Sequence, residues 1–287
     1  MGLPASLLIS LNKRHFKFKP PDDDPVGYAR WEFNEGKRVW ERFFKSRVDL
    51  TGKDVLDLGC GPGGKTCFLA TLKPNRVVGV DYSAELIRQA EAAREILAPP
   101  EDRIKLDFAC VNASDLPFPE AYFDVITCSD AFEHFSEPAT VLAEASRVLK
   151  PGGVFAVDFA QWGAYNGHHM GDFFSTPWVH VFWSEDSLIE AVKTLAKAEK
   201  SRTNDKSVRK GIDKLVQRRI DHFKNSLNKL RLADFERFLA GETNLHIRWR
   251  KRTAAFPAIW PLIFINGIKE LAVARNVYII DKIEISD

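Results

Sequence analysis

Val55-Leu56-Asp57-Leu58-Gly59-Cys60-Gly61-Pro62-Gly63-Gly64 is the stretch that decides the fold. An apolar run of β-type residues ends at an acid, and a cluster of glycines follows at once. The next residues, Lys65 to Leu72, read as a helix. The chain therefore turns sharply from strand to helix with few side chains in the way. A ligand can reach the bare backbone there, beside the positive end of a helix. A second apolar run, Val77-Val78-Gly79-Val80, ends in Asp81, seventeen residues past Gly64. A carboxylate at the tip of a neighbouring strand is placed to accept hydrogen bonds from a ribose. Two strands and a glycine turn thus describe a nucleoside-type site.

Gly59-x-Gly61-x-x-Gly64 satisfies the dinucleotide fingerprint, which alone is a weak signal. Asp57 argues against a pyrophosphate, because a carboxylate two residues before the first glycine repels phosphate. It suits a ligand with an amino group. S-adenosylmethionine has an ammonium, a ribose and an adenine, and no phosphate. Further blocks follow in order: Val78 to Ser83 (V-G-V-D-Y-S), Asp115-Leu116-Pro117-Phe118 with Phe123-Asp124-Val125-Ile126, and Leu149-Lys150-Pro151-Gly152-Gly153. With the glycine run at Asp57 to Gly64, these blocks make the sequence resemble the class I S-adenosylmethionine-dependent methyltransferases, between Lys53 and Phe159. The resemblance implies an α/β fold: a doubly wound, mostly parallel seven-stranded sheet of order 3-2-1-4-5-7-6. Helices cover both faces, the seventh strand is antiparallel, and a helical insertion follows strand 5.

The resemblance also implies roles. Gly59, Gly61 and Gly63 let the backbone touch the methionine part, and Asp57 holds the ammonium directly or through water. Asp81 accepts the ribose hydroxyls and Tyr82 covers the adenine edge. Asn112, followed by Ala113, stands where the family usually has an acid for the adenine amino group; an amide oxygen can still accept that bond. Ser129 and Asp130 line the methyl donor. His134, in Phe132-Glu133-His134-Phe135, orders the loop after strand 4.

Composition limits the alternatives. The chain has 287 residues, enough for a large core, and a formal net charge of +2, which gives no general argument for nucleic acid. The cysteines Cys60, Cys67, Cys110 and Cys128 lack C-x-x-C spacing and read as buried, reduced thiols of a cytoplasmic protein. No apolar run reaches the length of a membrane span. Met1 to Ser6 fits a short myristoylation pattern, with Lys13, Arg14, Lys17 and Lys19 downstream, but reads as a loose N-terminus. Leu3 to Leu11 lacks the features of a signal peptide.

Four segments are expected: a tail over 1–28 ending in the extended linker Pro20 to Pro25, a cofactor-binding core over 29–159, an acceptor-lid insertion over 160–231, and a C-terminal part over 232–287 with a helix and the last two strands. The core begins with a helix over 29–47 placed to lie over the cofactor mouth. Val208, Ile212, Leu215, Val216, Ile220, Phe223, Leu227 and Leu230 form a helical stripe in the insertion. Phe256 to Ile268, apolar and broken by Pro257 and Pro261, reads as a buried piece between the last two strands, with a hydrophobic acceptor site as the alternative.

Methyl transfer needs an acceptor held in line, water excluded and, for oxygen or nitrogen, a base near neutral pH. His169 and His180 are the candidate bases, with Trp162, Tyr165, His168, Asp172 and Trp178 around the acceptor. The alternative is that these histidines satisfy backbone groups in a packed lid. A metal held by His168 or His169 with Asp172 and His180 matches no standard ligand spacing, so none is expected. The expected substrate is a small organic molecule methylated at oxygen. Thirteen Lys or Arg against four acids between Lys193 and Arg231 open a second reading, a tRNA or protein acceptor in a groove bordered by Arg209, Lys210, Lys214 and Arg218. The chain lacks the N-P-P-[YF]-like loop of many nitrogen methylases; Ser129-Asp130-Ala131-Phe132 stands there. A third reading is a cofactor-binding protein without catalysis. The oligomeric state is not readable from the sequence.

Overall fold

The computed structural model describes residues 3–12, 16–18 and 26–283. Its sheet contains β1 (Asp54–Leu58), β2 (Arg76–Asp81), β3 (Leu106–Cys110), β4 (Phe123–Ser129), β5 (Leu149–Phe159), β6 (Leu245–Ala254) and β7 (Val273–Lys282). The strand order is β3-β2-β1-β4-β5-β7-β6, as the resemblance implies. The pairs β1–β2, β2–β3, β1–β4 and β4–β5 are parallel, and β7 runs antiparallel to β5. Val55, Leu56, Leu58, Val77, Val78, Val80, Val125 and Ile126 are all buried. Near-continuous apolar strands are what a parallel sheet needs when helices cover both of its faces.

The helices are α1 (Ala5–Leu11), α2 (Gly27–Val39), α3 (Gly64–Ala70), α4 (Ala84–Leu97), α5 (Pro100–Arg103), α6 (Pro138–Val148), α7 (Val179–Phe182), α8 (Glu185–Lys200), α9 (Lys206–Asn225), α10 (Leu232–Gly241) and α11 (Lys269–Ala272). Helix α2 continues as a π turn over Trp40–Phe44. Ser83 caps α4 by accepting the Leu86 N–H at 3.3 Å.

The chain divides into two compact units. One contains Asp22–Phe159, Ala233–Lys251 and Asn276–Asp287 and holds the parallel sheet. The other contains Met1–Pro21, Ala160–Leu232 and Arg252–Arg275. Its core gathers Leu8, Phe16, Phe173, Leu188, Val192, Ile212 and Phe223. Phe16 stacks on Phe173 with ring centroids 4.4 Å apart, and Asn12 Nδ2 donates to the Phe173 carbonyl at 2.7 Å.

Several elements differ from the sequence expectation. The segment read as a tail folds its start into α1, because Ala5 and Leu8 are buried in that second core. The linker Pro20 to Pro25 and the myristoylation site at Gly2 lie outside the described residues. The helical stripe expected from Val208 to Leu230 ends early, because α9 stops at Asn225; at its start Asp205 Oδ1 caps α9 by accepting the Ser207 N–H at 2.7 Å. Phe256 to Ile268 is not buried: Trp260 and Phe264 keep 55% and 65% of their surface. Cys110 is exposed on the edge strand β3, and the other three thiols are buried. No helix among the described residues is long and apolar enough to cross a membrane.

Candidate active site

The tips of β1 and β2 are tied together by the glycine turn. Gly59 and Cys60 both donate to the Val80 carbonyl at 2.9 Å, and Gly61 N–H donates to Asp81 Oδ2 at 3.1 Å. Ser83 N–H donates to Asp81 Oδ1 at 2.9 Å, so Asp81 joins the turn to the start of α4 while keeping lone pairs for a ligand. Gly59 and Gly63 have positive φ and face protein, with Ala131 and Ala90 their nearest neighbours. Gly61 differs. Its φ is +54°, and a Cβ there would meet within 4 Å only Glu32 Oε1, at 3.9 Å. It is the glycine of the turn whose bare backbone faces open space. Gly64 serves packing: a Cβ there would come 2.1 Å from the Ala29 carbonyl oxygen, so only glycine lets α2 settle on α3.

Asp57 lies below this surface. Thr66 Oγ1 donates to its Oδ2 at 2.6 Å and Thr127 Oγ1 to its Oδ1 at 2.8 Å. Burial raises its pKa, against the opposing pull of these two hydroxyls and Lys65. Asp57 therefore braces the turn from beneath with both oxygens already bonded. What sets it apart from Asp81 is its burial, at 4% exposure.

The carboxylate that faces the open turn is one that sequence reasoning missed. Glu32, on α2, is 9% exposed, and its Oε2 is buried without a hydrogen-bond partner. Burial pushes its pKa up to about 7; Asp57 and Asp130 add to this, while Lys65 and the Gly64 N–H oppose it. A sequence signal did exist. Ala29, Glu32 and Gly36 share one helical stripe, and both small residues pack closely, Ala29 on Gly64 and Gly36 on Lys65.

Lys65, the second residue of α3, was also missed. Its Nζ donates to the Ser129 carbonyl at 3.0 Å, to Ser129 Oγ at 3.2 Å and to Asp130 Oδ2 at 2.9 Å. Burial works against its charge, but Asp130, Asp158 and Glu32 outweigh burial and hold the ammonium well above the usual lysine range. Glu133 is buried nearby with an unpartnered Oε2; burial first, then Asp130, pushes its pKa up to about 8. The strand tips thus carry far more carboxylate than cation, and their one buried lysine is already engaged. That field disfavours phosphate and favours a cationic ligand.

The remaining expected cofactor residues are distributed as follows. Tyr82 is 73% exposed beside Asp81. Asn112 Oδ1 accepts the Ser114 N–H at 3.1 Å, which shapes the turn after β3, and Ala113 is buried. Ser129 holds Lys65 rather than facing open space with its hydroxyl free.

The expected acceptor residues all fall in the second unit. His168 is buried; its Nδ1 accepts the Met170 N–H at 2.9 Å, and burial, reinforced by His180 and His169, pushes its pKa down to about 3. It is a neutral, structural ring. His180 Nε2 lies 2.6 Å from the Trp162 carbonyl, so Nε2 carries the proton and Nδ1 is the bare nitrogen, buried without a partner. Burial lowers the His180 pKa against that bond. His169, with φ of +51°, places Nδ1 3.3 Å from His222 Nε2, a neighbour the sequence did not single out. Asp172 pairs with Arg219. Tyr165 and Trp178 flank the Phe256 ring, and Trp162 stands edge-on to His180. On α9, Arg209, Lys210, Lys214 and Arg218 are exposed, while Asp213 and Lys224 pair with Lys200 and Glu185 of α8. That face is exposed and mostly basic.

Residues 56–157 match the family model of the methyltransferase domain. Over that stretch the chain is similar to the methyltransferase domain. Its fold is that of the class I enzymes, with the strand order given above. The chain is 32% identical over 138 residues to a fatty-acid O-methyltransferase of Mycolicibacterium smegmatis, covering 47% of this chain and 48% of that protein. It is 38% identical over 118 residues to a demethylmenaquinone methyltransferase of Lactococcus lactis, covering 40% and 45%. The chain thus spans about half the length of the curated relatives it matches. A geranyl diphosphate C-methyltransferase of Streptomyces coelicolor shares the fold, with a TM-score of 0.55 at 16% identity over 95% of this chain and 92% of that one. The methyltransferase match ends at β5, so the second unit lies outside it.

Proposed function

We propose that this chain transfers the methyl group of S-adenosylmethionine to an oxygen of a small organic acceptor. The observation that carries the reading is the buried Glu32 carboxylate, with Oε2 lacking a hydrogen-bond partner, beside the open backbone of Gly61. It supplies a seat for an ammonium at the glycine turn, with Asp81 on the next strand for the ribose. When bound, the cofactor supplies an electrophilic methyl carbon on a sulfonium. The protein's part is to hold the cofactor, align the acceptor, exclude water and take the acceptor's proton. The relative named as a fatty-acid O-methyltransferase supports oxygen as the acceptor atom.

His169 is the preferred base. It has another imidazole at hydrogen-bond range to share a proton. His168 is held neutral by burial, and His180 is tied to the Trp162 carbonyl. Trp162, Tyr165 and Trp178 offer apolar walls for an acceptor. The free cysteines support a reducing, cytoplasmic setting.

Calorimetry with S-adenosylmethionine and S-adenosylhomocysteine tests the cofactor assignment directly. Asp81→Ala removes the ribose acceptor and the brace on Gly61 N–H, so affinity falls about tenfold to a hundredfold. Unchanged affinity in Asp81→Ala, or no binding by the wild type, overturns the assignment. For the base, His169→Ala lowers kcat by about a hundredfold or more while cofactor affinity holds. An unaltered pH–rate profile in that variant removes His169 from the mechanism.

A further inference from the structure

His169 and His222 stand 53 residues apart in the sequence and meet inside one compact unit. His169 Nδ1 lies 3.3 Å from His222 Nε2. The ring planes differ by 23° and the centroids are 5.4 Å apart, so the nitrogens meet edge to edge. Two imidazole nitrogens bound to one tetrahedral ion at about 2.0–2.1 Å are separated by about 3.3 Å. The pair therefore already has the spacing of two ligands on a zinc-type ion. A proton shared between the rings keeps the same spacing without one.

Both rings are held by their own segments. His169 has a φ of +51°, an uncommon value outside glycine. Its N–H donates to the Asn166 carbonyl at 3.0 Å, and the Met170 N–H donates to His168 Nδ1 at 2.9 Å. Gly167 lets this turn close, since a Cβ there would come 2.2 Å from the Trp162 carbonyl oxygen. His222 rides near the end of α9, where its carbonyl accepts the Ser226 N–H at 2.9 Å. One turn back on that helix, Arg219 pairs with Asp172, which follows His169 in the same turn region. This second tie fixes the distance between the two segments and neutralises Arg219.

Both rings are half-buried, so an ion reaches them from solvent. Imidazole suits zinc, copper and nickel, whereas magnesium and calcium prefer oxygen ligands. Two protein ligands leave the other positions to water, and the basic face of α9 opposes a dication. The affinity is therefore modest, with a Kd of about 10–100 µM.

We propose that His169 and His222 hold a divalent transition-metal ion of the zinc type, with water completing its coordination. Calorimetric titration of the full chain with zinc chloride tests this, in a Cys110→Ser background that removes the exposed thiol of the other unit. One ion binds per chain. His222→Gln weakens binding about tenfold or more, and so does His169→Asn, which keeps a residue that tolerates positive φ. His246→Gln, an exposed histidine of the other unit, leaves binding intact. Melting curves without zinc show that each variant is folded, and zinc raises the melting temperature of the wild type but not of the two ligand variants. Cobalt in place of zinc gives visible d–d bands without thiolate charge transfer. The proposal is overturned if the wild type binds no zinc at millimolar concentration, or if His222→Gln and His169→Asn bind it as tightly as the wild type. A cobalt spectrum dominated by thiolate charge transfer overturns it as well. Resting on the reading of His169 as the base, a bound ion also takes the lone pair that accepts the proton, and zinc slows methyl transfer. Zinc binding without that inhibition keeps the metal site and removes His169 as the base.

Discussion

Glu32→Gln lowers the affinity for S-adenosylmethionine by about 2 kcal/mol, roughly thirtyfold, near pH 8. The carboxylate is buried, its Oε2 lacks a partner, and its pKa stands near 7 before any ligand arrives. The groups that face it are Asp57, Cys60, Lys65, Cys67 and Asp130. A ligand ammonium binds the ionised form, so binding releases a proton where Glu32 is still protonated. Wild-type affinity therefore rises with pH and levels off above about 7, with a loss of roughly tenfold one unit below that point. Glutamine cannot titrate, so the variant's affinity is flat over the same range. Calorimetry in buffers of different ionisation enthalpy measures the proton count directly. A wild type that binds the cofactor with no proton release, or a Gln variant of equal affinity, would falsify the role of Glu32 and leave the Asp81 assignment standing.

The ligand-free protein carries the opposite signature in its stability. A carboxyl whose pKa is raised on folding contributes stability that is complete below its unfolded value and lost as pH rises through the folded value. For Glu32 that window runs from 4.5 to about 7, and for Glu133 from 4.5 to about 8. Their contribution to the stability of the ligand-free protein is therefore lost from mildly acid to mildly basic pH.

Lys65→Met destabilises the fold by about 3–5 kcal/mol at pH 8. Its side chain is 13% exposed, and its three hydrogen bonds join α3 to the loop after β4. Methionine fills the volume but leaves Asp130 and the carboxylates around it without their cation. The loss shrinks at pH 6, where Glu32 and Glu133 hold protons. Glu133→Gln in the same background recovers part of it. Urea midpoints at the two pH values give the numbers. A loss below about 1 kcal/mol at pH 8, the size of an exposed ion pair, would show that Lys65 is not the centre of this cluster.

The sequence alone determined the sheet. Asp57 to Gly64 and Val78 to Ser83 specify two strand tips and a turn through local rules, because positive φ and close backbone approach leave glycine few substitutes. Strand order came only with the family resemblance that the ordered blocks carry. Local rules do not say which side chains converge from distant segments. Asp57 reads as the ligand acid because it adjoins the glycines, and the fold buries it beneath the turn with Thr66 and Thr127 bonded to it. Glu32 reads as one polar residue of an amphipathic helix until Gly64 brings α2 onto α3 and leaves its carboxylate over Gly61. Lys65 looks like an ordinary helical cation until the β4 tip wraps it. The same holds for Phe256 to Ile268. Apolar composition predicts burial, but a connection of that length has one inward side, and the rest of its side chains face outward. Periodicity and turn chemistry are written along the chain. Partnership between buried charges, and the face an irregular segment leaves uncovered, arise only when the tertiary structure sets the dielectric and the neighbours.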